Sequence, residues 1–270
     1  MYRLIAADLD ETLLKSDKHV SEEDIATIDK MKNVRFVPAT GRGFFSIQNT
    51  LKEIGLYDKE DQYVISYNGA VITENKGNRI IHLEPLGYPD TLKLFDIGQK
   101  YDVCIHLYTL DNCFAYRIFE NERQYLKNRI KVTEFASTDI SFIENDTILK
   151  VLYCNSDIEY LRKIKEELDL DDVYDVSLSA NRYLEFNRKG VNKGLGLRKL
   201  AEYLNIDIKD TIAVGDSLND LAMVKEAGLG IGVKNSTIDI IDDCDIILDS
   251  TNNESPITEI YERFIKKTED

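Results

Sequence analysis

The chain has 270 residues, 43% hydrophobic and 31% charged, enough for one large or two modest domains with a real core. Its net charge of −15, from 34 basic and 49 acidic side chains, disfavours nucleic acid and anionic membrane as bulk partners. No apolar run approaches the roughly 20 residues of a membrane span, and the N-terminus leads at once into a strand, so a cytoplasmic protein without a signal peptide is expected. Cys104, Cys113, Cys154 and Cys244 lack zinc-ligand or CxxC spacing, and His19, His82 and His106 form no HExxH pair. Any metal is therefore expected to be a hard cation on oxygen ligands.

Leu4 to Ala7 form a short apolar run, the pattern of a strand buried on both faces. It stops in Asp8-Leu9-Asp10-Glu11-Thr12, and strand alternation puts Asp8 and Asp10 on one side with Leu9 on the other. Two acids at the end of a buried strand need a cation or hydrogen-bond donors; acidic caps on a helix start are the alternative. Ser21 with three following acids reads as a helix start, and Ile25, Ile28 and Met31 keep helical spacing. A second strand, Val34 to Val37, ends in Pro38-Ala39-Thr40-Gly41-Arg42-Gly43. A hydroxyl, two glycines and a guanidinium at a strand-to-helix turn suit a phosphate, though a plain connection reads equally well. A helix through Phe45, Ile47, Leu51 and Ile54 precedes a third strand, Tyr63 to Tyr67, and a hairpin of Val71–Thr73 with Arg79–Leu83. This β-α-β-α-β alternation is the mark of a doubly wound sheet.

Pro85, Gly87 and Pro89 mark a linker, after which the rhythm changes. Helices are expected near 90–101, 120–130 and 157–168, with strands at 103–110, 113–119, 147–154, 173–178 and 183–186. These make a separate α+β domain over 85–186, inserted into a core of 1–84 and 187–270. The core pattern resumes with a helix opened by Lys193 and a strand, Thr211 to Val214, that stops in Gly215-Asp216-Ser217-Leu218-Asn219-Asp220. Further strands are expected at 228–233 and 245–248, with a closing helix over 255–265.

Strand ends of this kind converge along one edge of a doubly wound sheet. That edge would carry Asp8, Asp10, Thr40, Arg42, Asp216, Asn219 and Asp220, with Lys193 at a neighbouring helix start. Clustered carboxylates call for a divalent cation, and oxygen ligands point to Mg²⁺. A lysine, an arginine, a hydroxyl and loop amides beside it make a phosphoryl site. Alone, Lys193 would read as a solvated helix-start lysine, Arg42 as a structural side chain and Asn68 as a turn residue.

The DxDxT start, the ATGR turn, Lys193 and the GDSLND stretch resemble the four motifs of the haloacid-dehalogenase-like hydrolases. Their order, with a large insertion between the second and third, is similar to the Cof-type phosphatases. The resemblance spans the chain; it implies a Rossmann-like α/β core with an inserted α/β cap that sets substrate specificity. It further implies that Asp8 is the nucleophile of an aspartyl-phosphate mechanism and Asp10 the general acid and base. Asp8, Asp10 (through its backbone carbonyl) and Asp216 would bind Mg²⁺, with Asp220 supporting the metal or Lys193. Thr40, Gly41, Arg42, Lys193 and Asn219 would hold the phosphoryl group. Family members usually carry glycine where this chain has Glu11.

The expected partner is a small phosphorylated metabolite, handled by a monomer or weak homo-oligomer without nucleic acid or membrane. Residues 82–186 hold 12 basic and 20 acidic side chains, which disfavours polyanions and favours sugar phosphates or phosphorylated cofactors. His106, Tyr108, Tyr116, Arg182 and Tyr183 are expected to face the substrate. Alternatives are a phosphomutase of the same fold, a receiver-type phospho-switch and a non-catalytic phospho-ligand binding protein. A receiver would lack the paired DxD and a domain of this size.

Overall fold

The computed structural model describes residues 1–127 and 130–266, and the chain divides into two compact units, Met1–Leu83 with Asn192–Asp270, and Glu84–Val191. The first unit opens with β1 (Leu4–Ala7), buried at all four positions. α1 (Glu22–Lys30) is capped by Ser21, whose hydroxyl accepts from the Asp24 amide at 3.1 Å. Acids fill its first turn and Lys30 its last, both favourable to the helix dipole. β2 (Arg35–Pro38) leads through a 3₁₀ turn, Phe44–Ile47, into α2 (Gln48–Glu53).

β3 (Tyr63–Ser66), β4 (Val71–Glu74) and β5 (Arg79–Leu83) form an antiparallel three-stranded sheet. The third strand therefore takes its ladder from the following hairpin; its link to the end of β2 is a single parallel bridge, Ala39 to Ile65. Tyr67, Asn68 and Gly69 at φ 51°, 55° and 92° turn the chain straight back, and so short a loop permits only antiparallel pairing.

The second unit contains α3 (Tyr88–Gly98), β6 (Cys104–Thr109), β7 (Cys113–Tyr116), α4 (Glu120–Leu126), β8 (Val132–Phe135), β9 (Ile148–Cys154), α5 (Ile158–Leu168), β10 (Tyr174–Ser179) and β11 (Tyr183–Arg188). Its sheet runs β10-β11-β9-β6-β7-β8, antiparallel except for the β7–β8 pair. The helix expected over 120–130 is described to Leu126; Asn128 and Arg129 lie outside the described residues. β8 is a strand without an apolar run, half-polar as suits a sheet edge.

One face of this sheet packs Leu107, Val151, Tyr153 and Phe186 against Phe95 of α3 and Leu161 of α5. The alternate positions put His106, Tyr108, Lys150, Tyr183 and Glu185 on the other face, where Lys150 and Glu185 form a buried ion pair at 2.7 Å. Tyr116 departs from the group expected to face substrate: it packs on the apolar side, 5.1 Å from the Phe95 ring.

The first unit resumes with α6 (Lys193–Tyr203), β12 (Thr211–Gly215), α7 (Leu221–Glu226), β13 (Leu229–Gly232), α8 (Ile238–Ile241), β14 (Ile246–Ile247) and α9 (Pro256–Ile260). The core sheet is parallel throughout, in the order β14-β13-β12-β1-β2. Ile5 and Ala7 join one apolar cluster with Ile28 and Ile260, while Leu4 and Ala6 join another with Leu197 and Met223. Layers on both faces make this a doubly wound α/β core. Ala7 is in register with Pro38 and Val214, so three strand ends finish within one residue of one another. Among the described residues no helix is long and apolar enough to cross a membrane.

Asp24, fully buried in α1, ties that helix to α9 by accepting from the Thr258 amide at 2.7 Å and its hydroxyl at 2.9 Å. Burial outweighs these bonds and pushes its pKa up to about 6. A carboxyl raised in the folded state contributes most at acid pH, and that contribution is lost as pH rises through 6. Between pH 4 and 7.5 the wild type should lose up to roughly 3 kcal/mol of unfolding free energy relative to Asp24→Asn. Urea titrations of both proteins across that range check this.

Candidate active site

These strand ends are the foundation of the site. The Asp8 amide continues the ladder by donating to the Val214 carbonyl at 3.0 Å, and the Ala39 amide donates to Ala7 at 2.8 Å. Asp8 is buried beside the sheet edge, Leu9 turns into the apolar core, and Asp10 is half-exposed. Beyond them the chain folds on itself, with Leu13 donating to the Asp8 carbonyl and Leu14 to the Leu9 carbonyl.

Lys193 is the first residue of α6, whose N-cap Asn192 accepts from the Leu195 amide at 3.0 Å. Its ammonium is fully buried and donates to Asp8 Oδ1 at 2.5 Å and to Asp220 Oδ1 at 2.6 Å. The second oxygen of Asp220 accepts from the amides of Asp216 and Ser217 at 3.0 and 3.2 Å. This return is possible because residue 215 is glycine: a Cβ there would lie 2.4 Å from Asp220 Cβ. Thr12, buried, donates its hydroxyl to Asp216 Oδ1 at 2.9 Å.

Oxygens of Asp8, Asp216 and Asp220 lie within 4.8 Å of one another. Burial pushes the Asp8 carboxyl well up, with Lys193 opposing and the neighbouring acids adding to the rise. Burial and Asp220 likewise push Asp216 up to about 7, against the Thr12 hydrogen bond. Burial works against the charge of Lys193, yet Asp220 and Asp8 hold it above the ordinary lysine range. With all three acids ionised, one ammonium leaves two negative charges uncompensated, which is the state that burial opposes. A hard divalent cation matches both that surplus and the all-oxygen donor set. Both oxygens of Asp220 are already engaged, whereas Asp8 and Asp216 each use one oxygen in these contacts.

The other expected residues fall into smaller groups. Thr40 is buried one position past Ala39, and its hydroxyl oxygen accepts from the Arg42 amide at 3.1 Å. Gly41 lies between them, half-buried. The Arg42 guanidinium forks onto Asp10, with Nε 2.8 Å from Oδ2 and Nη2 on Oδ1. The guanidinium expected at the phosphoryl group is thus paired with the Asp10 carboxylate in this structure. Asn219 shares the 3₁₀ turn Leu218–Asp220, and its Oδ1 accepts from Ser217 Oγ at 2.9 Å.

Thr12 received no role from the sequence, although a hydroxyl two residues past the second acid was the available signal. Lys18, Asn235 and Asn252, which surround Glu11, carried no local signal.

Replacing Lys193 by Met strands two buried carboxylates. The expected loss is about 3–5 kcal/mol in EDTA at pH 7.5. It should narrow at pH 5, because Asp216, pushed up to about 7, is protonated there and no longer repels the carboxylates left without the ammonium. Urea unfolding at the two pH values measures both, and a Lys193→Met protein as stable as wild type would refute this charge balance.

A family model described as haloacid dehalogenase-like hydrolase matches residues 5–260. The chain is 28% identical to the putative phosphatase YxeH of Bacillus subtilis (strain 168), over 99% of this chain and 100% of that one. It is 29% identical to 5-amino-6-(5-phospho-D-ribitylamino)uracil phosphatase YcsE of the same organism, over 97% and 96%. A solved haloacid dehalogenase-like hydrolase from Bacteroides thetaiotaomicron superposes with a TM-score of 0.81 at 26% identity, covering 98% of this chain and all of that one. With the family model covering both parts of the core and the insertion between them, the chain belongs to the haloacid dehalogenase-like hydrolases.

Proposed function

We propose that the protein is a phosphatase of small phosphate monoesters that works through an aspartyl-phosphate on Asp8. The observation that carries the reading is the fully buried Lys193 ammonium between Asp8 and Asp220, beside a third buried carboxylate. An ordinary structural core does not concentrate charge in this way, whereas phosphoryl transfer requires it. The names of similar proteins, among them a phospho-D-ribitylamino-uracil phosphatase, point the same way.

In this reading an Asp8 oxygen attacks phosphorus as the bond to the alcohol oxygen breaks. The Asp10 carboxyl gives its proton to that oxygen. Asp10, now a carboxylate, takes a proton from the water that attacks phosphorus, which frees inorganic phosphate and restores Asp8. Lys193 opposes burial and favours the anionic, nucleophilic form of Asp8. Thr40, Gly41, Lys193 and Asn219 hold the phosphoryl oxygens. Asp8, Asp216 and the Asp10 backbone carbonyl would hold a divalent cation, Mg²⁺ by its preference for hard oxygen, which neutralises phosphoryl charge when bound. Asp220 belongs behind Lys193 and the Asp216 loop, since both its oxygens are used there.

Substrate choice is assigned to the inserted unit. Over 82–186 that segment holds 12 basic and 20 acidic side chains, which favours esters of modest charge. A cytoplasmic monomer or weak oligomer acting on a sugar phosphate or phosphorylated cofactor fits these properties.

The test is phosphate release from p-nitrophenyl phosphate and from a panel of sugar phosphates. Wild type should require Mg²⁺ and lose activity in EDTA; Asp8→Asn should abolish turnover, and Asp10→Asn should lower it by about 10²–10⁴-fold on alkyl esters. Bisphosphate-dependent isomerisation without net release would instead identify a mutase, and phosphate binding without either reaction a binding protein.

A further inference from the structure

Asp10 differs from the other acids of the site in being open to solvent, its side chain 41% accessible. A carboxylate so placed samples several rotamers unless something holds it. The Arg42 fork is one restraint. Lys18 is a second, with Nζ 3.6 Å from Asp10 Oδ1. A lone exposed lysine restrains little, since holding its long side chain still loses most of what the ion pair gains.

Lys18 does not act alone. Its ammonium donates to Glu11 Oε1 at 2.9 Å. Glu11 is itself fastened at two points: its Oε2 accepts from Asn252 Nδ2 at 3.4 Å and its carbonyl from Asn235 Nδ2 at 2.8 Å. Asn252 is 3% exposed, and its amide donates to Asn235 Oδ1 at 2.8 Å, so the anchor is rigid. Both members of the ion pair have left-handed backbone, Glu11 at φ 58° and Lys18 at φ 68°. That region strains any residue with a Cβ and suits glycine. Two charged side chains facing each other from two such positions, next to a proposed reacting group, are a coordinated departure from local preference.

We propose that Glu11 and Lys18 are positioning residues for Asp10: Glu11, anchored on Asn252 and Asn235, holds the Lys18 ammonium beside Asp10 and so fixes the orientation from which the Asp10 carboxyl group, in its protonated form, gives its proton to the leaving oxygen. This rests on the reading of Asp10 as proton donor. The arrangement matters in proportion to how badly the leaving group needs a proton. An alkoxide cannot depart unprotonated, whereas a nitrophenolate can. A brace that only stabilised the loop would affect both esters alike.

The experiment compares kcat/KM, which reports the steps up to phosphorylation of Asp8, for an alkyl phosphate and for p-nitrophenyl phosphate. In Lys18→Met the ratio of alkyl to aryl kcat/KM should fall about tenfold, a part of the roughly 10²–10⁴-fold that a positioned general acid contributes. Lys18→Arg should recover most of that ratio. Glu11→Gly should lower it as Lys18→Met does, although relief of the strained backbone leaves its thermal midpoint unchanged or higher. The double variant should be no worse than Lys18→Met, because both changes break one chain of contacts. An alkyl-to-aryl ratio that is unchanged or rises in Lys18→Met, as it would if the ammonium acted only by disfavouring the protonated carboxyl, equal losses on both esters, or losses that multiply in the double variant would overturn the positioning role while leaving the phosphatase reading intact. A wild type that releases phosphate from neither ester would overturn that reading and this inference with it.

Discussion

The buried Lys193 ammonium is the interaction on which this architecture turns. It sits on the first residue of α6, the positive end of a helix, where a cation is unfavourable, and it has no solvent access. Burial of a charge under those conditions is tolerated only with anions in direct contact. The anions come from places 185 residues upstream and 27 downstream. The sheet order that sets β1 beside β12, and the register that pairs Ala7 with Val214, are therefore also what keeps Lys193 buried. In this core the stability of the charge and the assembly of the site are the same requirement.

The insertion makes that requirement harder to meet. The chain leaves the first unit at Leu83 and re-enters it at Asn192, one residue before Lys193. The re-entry point is pinned from within the first unit. Asn192 caps α6, and its carbonyl lies where a Cβ on Gly69 would approach to 2.1 Å. Gly69, at φ 92°, is thus required both by its backbone and by its neighbour. A hairpin turn before the insertion and a helix cap after it are locked together, so the 108 residues of Glu84–Val191 can be accommodated without loosening the lysine.

What could be read from the sequence follows from range. The apolar run Leu4–Ala7 ending in acids, the Ser21 cap and the GDSLND strand end are local patterns, and the structure has a buried strand, a capped helix and a buried strand at those places. The pairing of β3 with β4 rather than with a parallel neighbour depended on a three-residue run of positive φ that tyrosine and asparagine do not announce. β8 lacks an apolar run because an edge strand need not have one. The partner of Arg42 was decided by tertiary contact: a guanidinium two residues past Thr40 reaches phosphate or carboxylate equally well, and Asp10 lies within its fork. Tyr116 was one residue out of phase with its group, and in a strand one residue changes the face.

The division of labour proposed for Asp8 and Asp10 has its origin in the residue between them. Leu9 is fully buried in the apolar cluster with Leu13, Leu14 and Val20, and this fixes the rotation of the chain as it leaves β1. With that side chain anchored, Asp8 is drawn into the desolvated corner with Lys193, while Asp10 comes out at the surface between Arg42 and Lys18. A nucleophile gains from being dry and held, because nothing must be stripped from it before attack. A proton carrier that serves first the alcohol and then water must remain within reach of solvent. Two identical carboxylates two positions apart can take such different parts only if something apolar separates their surroundings, and here a single leucine does so.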